Sequence, residues 1–89
     1  MISDQTAARL RHIQQAGLSR LREIAQEKGW PWERDLQVLR DIQNGSLEQA
    51  AAKNRLSYGT VQHILNRYDK LAQGIIEEKR RKAMDYEEV

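Results

Sequence analysis

Cysteine is absent and histidine occurs only twice in these 89 residues, which excludes a disulfide framework, a thiolate metal site and a zinc finger. A chain without cysteine suits a reducing compartment. No apolar run approaches the roughly 20 residues of a membrane-spanning helix. The start of the sequence also lacks the charged-then-apolar pattern of a secretory signal. The expectation is a cytoplasmic protein with no membrane contact. β-Branched residues are few and no segment alternates apolar with polar side chains, so no strand is expected. Also missing are a glycine-rich phosphate cradle, a paired His-carboxylate metal spacing and a nucleophile with an evident base. Those gaps argue against an enzyme and leave no cofactor to expect.

What remains is ordinary for a small helical protein: 31% charged and 39% hydrophobic residues with a net charge of +2, enough for a modest core. Ser3 can cap a helix whose apolar positions Leu10, Ile13, Gly17, Leu21 and Ile24 step by three or four as far as Lys28, the period of one buried helical face. Gly17 inside that run costs about 1 kcal/mol relative to Ala, which predicts a kink or a break into two helices. Gly29 ends the run. Trp30-Pro31-Trp32 is the sharpest boundary in the chain, because Pro suits a first helical turn while holding its predecessor extended. A helix should therefore begin at about Pro31 and carry Leu36, Leu39 and Ile42, with Val38 on its flank, to the stop at Asn44-Gly45. At least one of the two tryptophans should pack in the core, the alternative being an anchor in a partner interface.

Two further short amphipathic helices follow in close succession. Ser46 with Gln49 three residues later forms a capping-box pattern, and Leu47, Ala50 and Ala51 make one stripe. Ser57 then precedes a second stripe of Val61, Ile64, Leu65 and Tyr68, as an N-cap would. Leu56 plugs the corner, and Ala51 is the small residue that steeply crossing helices need where they touch. Beyond Tyr68 the stripe continues through Leu71, Ile75 and Ile76, with Gly74 as either an end or a tolerated flaw. Glu77 to Lys82 places acids before bases at spacings of three and four, which supports a solvated helix. A fraying tail is expected from Met84 onward. The fold class is all-α, a small bundle of four to five helices. Residues 1–29 form an N-terminal helical region, 30–73 the core unit, and 74–89 a charged helix and tail.

Ala51, Arg55, Leu56, Ser57 and Thr60-Val61 stand at the spacing of the helix-turn-helix family of bacterial and phage regulators, which this stretch resembles. The wider run from Leu36 to Tyr68 looks like the promoter-reading domain of sigma factors and the related response-regulator output domains. The sequence departs from the family pattern where Arg55 replaces the favoured Gly and Asn54 a common apolar residue. The resemblance implies that the second helix lies in a major groove of double-stranded DNA with Ser57, Tyr58, Gly59, Gln62, His63 and Asn66 toward the base edges. Gln62 and Asn66 are the leading candidates, since a side-chain amide can pair bidentately with adenine and the two share one face. Their plain alternative is an ordinary polar surface.

Lys53, Arg55, Arg67 and Lys70 would hold phosphates, which fixes register without reading sequence. Thr60 could donate to a phosphate at the helix start or serve as a local cap. Tyr58 could stack on the sugar-phosphate backbone or on its neighbours, and Gly59 in a first turn suggests a close approach from outside. No segment is strongly basic, residues 57–72 carrying two basic side chains against one acidic. Homodimerisation, or delivery by a larger assembly such as RNA polymerase, should therefore supply part of the affinity. The first helix, with its stripe to bury, is the candidate dimer element, and intramolecular packing is the alternative. The expected function is a sequence-specific transcriptional regulator, small enough for a phage or other mobile element, with repression favoured. A recombination or packaging factor and a protein-binding helical adaptor are the rival readings.

Overall fold

Ser3 opens the first helix as its sequence context requires: its hydroxyl accepts from the Thr6 N–H at 3.2 Å, satisfying one of the free donors at a helix start. The computed structural model describes residues 2–87, with side chains through residue 83. Its five helices are α1 (Asp4–Ala16), α2 (Leu18–Glu27), α3 (Trp32–Asn44), α4 (Leu47–Asn54) and α5 (Tyr58–Glu87), and there is no strand among the described residues. Of the two outcomes open at Gly17, the chain takes the break: Gly17 has φ +94° and α2 starts directly after it. Gly29, at φ +76°, then lets Trp30 N–H reach back to the Ala25 carbonyl at 2.9 Å, closing α2 with a left-handed residue that Gly adopts without strain.

The same closure ends α4, but with an arginine in the left-handed position. Arg55 sits at φ 55°, ψ 42°, while Leu56 N–H bonds the Ala51 carbonyl at 2.9 Å and Arg55 N–H that of Ala52 at 3.3 Å. Three residues, Arg55 to Ser57, therefore join α4 to α5. A residue with a Cβ is strained in this region by about 1–2 kcal/mol, and glycine's larger unfolded-state entropy offsets part of the relief. Arg55→Gly should consequently stabilise the fold by about 0.5–1 kcal/mol, seen as a higher urea midpoint at unchanged slope. Asn54, the other departure from the helix-turn-helix pattern, is half-buried. Its amide donates to the Asp41 carboxylate at 2.9 Å and to the Ala50 carbonyl at 2.8 Å, tying the end of α4 to α3.

One hydrophobic core draws on all five helices: Leu10, Ile13 and Ala16 of α1, Leu21 and Ala25 of α2, Trp32, Val38, Leu39 and Ile42 of α3, Ala50 and Ala51 of α4, and Val61 to Ile75 of α5. The most extensive helix contact is α1 with α5. The two run parallel, as Arg9 shares a surface with His63, Asn66 and Lys70, His12 bonds Asp69, and the Lys79 ammonium reaches the Ala16 carbonyl at 3.4 Å. This packing corrects the candidate dimer element. Leu10, Ile13 and Leu21 are buried within the chain and Ile24 is half-buried against the same core, so that stripe is not free for a second copy. α5 passes through Gly74 without ending, which makes that glycine the tolerated flaw. The expected fraying tail is helical backbone as far as Glu87, and its last two residues lie outside the described residues.

Candidate nucleic-acid interface

The start of α5 is built by Ser57, whose hydroxyl accepts from Thr60 N–H at 3.2 Å and bonds the Thr60 hydroxyl at 2.8 Å. The cap is therefore Ser57, and the Thr60 hydroxyl bonds the Ser57 hydroxyl rather than a backbone amide. Val61, Ile64, Leu65 and Tyr68 turn inward, and the helical period leaves Gly59, His63, Asn66 and Lys70 in line on the opposite, exposed side with Gln62 at its edge. Tyr58 is 45% exposed, and a Cβ placed on Gly59 would meet nothing within 4 Å. No neighbour within the chain therefore calls for a glycine there. Lys53 and Arg55 are exposed at the α4–α5 corner. Among the described residues, the side chains of Lys53, Arg55, Tyr58, Gln62, His63, Asn66 and Lys70 make no hydrogen bond or ion pair within the chain. Of these, His63, Asn66 and Lys70 share one surface.

Arg67 borders that surface beside His63, Asn66 and Lys70, but its guanidinium is engaged with α3, and its expected phosphate contact is corrected. Its guanidinium donates to the fully buried Asp35 at 2.7 Å and lies over Trp30 at 4.1 Å from the ring centroid, with the side chain only 21% exposed. The Tyr68 hydroxyl donates to the same Asp35 oxygen, and Arg34 donates to the other at 3.1 Å. Trp30 and Trp32 meet Tyr68 edge-on at 5.7 and 5.8 Å, a favoured aromatic geometry. The pair of tryptophans is thereby absorbed: Trp32 is 8% exposed, and Trp30 is half-buried with Arg67 and Lys28 on it. The periodicity carried one signal for this network, since Asp35 stands three after Trp32 and four before Leu39 on the buried face of α3. A carboxylate there needs a cation and a donor.

Burial raises the ionisation of the Tyr68 phenol far above its ordinary range, and its hydrogen bond to Asp35 adds to the shift, while the Arg67 charge opposes it. The folded chain thus keeps Tyr68 protonated where an unfolded tyrosine, near 10, begins to ionise. Stability carried by this group is fully present below about pH 10 and declines as the pH rises above it. The wild-type chain should lose more stability between about pH 9 and about pH 11 than Tyr68→Phe does, measured as urea unfolding free energy.

A second polar cluster, also unread in the sequence, braces the α1 side of α5. His12 Nδ1 lies 2.8 Å from one Asp69 oxygen, and the Gln73 amide donates to the other at 2.8 Å. No protein-family model matches the chain, and neither a curated protein nor a solved structure does. Among the described residues no cluster of His, Cys, Asp or Glu could hold a metal ion, and no helix is long and apolar enough to cross a membrane.

Proposed function

We propose that the chain is a sequence-specific DNA-binding regulator that reads the major groove with the first turns of α5 and represses by occupying a promoter. The observation that carries this reading is the row of amide and imidazole side chains, Gln62, His63 and Asn66, without partners among the described residues and with Lys53, Arg55 and Lys70 on the same two helices or the turn between them. Amides on one helical face match the donor and acceptor pair of adenine. Cations beside them hold phosphates. The open side of Gly59 lets the helix start approach a duplex closely. Arg55 in the αL position turns α4 into α5 within three residues, in keeping with the resemblance to helix-turn-helix regulators. The adaptor reading rests on Trp30-Pro31-Trp32 and the weak net charge, and the contacts of both tryptophans to Tyr68, with Arg67 over Trp30, give them a role within the fold.

The test is selection of purified protein on a randomised duplex pool at two salt concentrations, with sequencing of the retained DNA. Enrichment of a motif is the expected result, and a palindromic one would add that two copies act together. Absence of retention at low salt would overturn the reading.

A further inference from the structure

α1 lies along one flank of the exposed strip of α5. Asp69, bonded to His12 of α1, and Arg67, bonded to Asp35 of α3, are two residues apart and so point to opposite flanks of the helix. His63, Asn66 and Lys70 occupy the strip between them, and Arg9 of α1 borders it, sharing one surface with those three residues. Arg9 is half-buried and makes no ion pair among the described residues. The nearby carboxylate, Asp69, has both oxygens engaged by His12 and Gln73. Arg9 is therefore a half-buried cation beside the strip with no ion-pair partner among the described residues.

A helix with its side chains is about 10–12 Å across and fills a major groove about 12 Å wide. A neighbouring helix whose axis lies about 8–10 Å away cannot enter the same groove. Its outward side chains instead meet the rim, where the phosphates of one strand run. We infer that α1 forms part of the DNA interface, with Arg9 holding the phosphates of a single strand while α5 reads the bases. This rests on the proposed docking of α5 in the groove. It assigns a role to the N-terminal helix that neither its apolar stripe nor its modest charge suggests.

The test compares the wild-type chain with Arg9→Gln, Arg9→Lys and a control, Arg20→Gln, whose arginine is on α2 and pairs with Glu23. Affinity for the random duplex pool is measured over a salt series, and phosphate-ethylation interference is mapped on the enriched duplex. Arg9→Gln should weaken binding to all sequences alike and flatten the salt slope by about 1. It should also lose interference on one strand only, with Arg9→Lys and Arg20→Gln keeping the wild-type slope. A wild-type slope and interference pattern in Arg9→Gln would overturn the assignment to Arg9 while leaving the α5 reading intact. Failure of the wild type to bind any duplex would overturn both.

Discussion

Asp35→Ala should destabilise the fold by about 3–5 kcal/mol, the range for removing one partner of a buried ion pair. With a total stability of about 5–15 kcal/mol expected for a chain of this kind, that loss leaves much of the population unfolded at moderate temperature. The magnitude follows from what the carboxylate holds. Asp35 is fully buried and receives Arg67, Tyr68 and Arg34 from three directions. Its removal strands the Arg67 guanidinium, whose Nε already lacks a partner, and leaves the Tyr68 hydroxyl without an acceptor. Urea denaturation gives the size of the effect. Combining Asp35→Ala with Arg67→Met should recover part of the loss, because the stranded charge goes with it. Equal destabilisation by the single and double variants would mean that the carboxylate acts through packing alone.

The second large effect concerns recognition. Gln62→Ala with Asn66→Ala should remove about 1–3 kcal/mol of discrimination per lost bidentate contact, so that the double variant loses most of its preference for the enriched duplex over random DNA. Asn66 is exposed, Gln62 is half-buried at the edge of the strip, and neither side chain bonds another group among the described residues. Urea stability should therefore stay within about 0.5 kcal/mol of wild type. Binding to random DNA and its salt dependence should persist, since the phosphate contacts are untouched. Discrimination equal to wild type in the double variant would show that the amides of α5 do not read bases.

These two sites differ in how visible they were in the chain. Ser3, Ser46 and Ser57 reveal their helix starts because a cap bonds an amide only three residues ahead, and Gly17 and Gly29 reveal breaks because a positive φ is a property of one residue. Gln62 and Asn66 could be placed on one face by spacing alone. Arg67 could not be placed correctly, because its partner lies 32 residues away on another helix. A flanking arginine on the α5 stripe looks the same whether it faces a phosphate or a buried aspartate. Arg9 went unread for a related reason: periodicity gives α1 an apolar stripe but does not say which helix covers it. Asn54 looked like a defect in the motif, and only the position of Asp41 on α3 turns it into a tie.

The parallel pairing of α1 with α5 also has a consequence for how the protein is made. His12 and Asp69 are 57 residues apart in the chain, and translation proceeds at about 5–20 residues per second, so roughly 3–11 s separate the synthesis of the two partners. During that interval Leu10 and Ile13 lack the α5 face that makes the most extensive contact with α1 and have only α2 and α3 to pack on, while α3 and α4 can pair as soon as both have emerged. α1 is thus completed by a helix that emerges well after it. Nascent chains stalled before α5 should expose an adhesive N-terminal surface, and release of α5 should withdraw it.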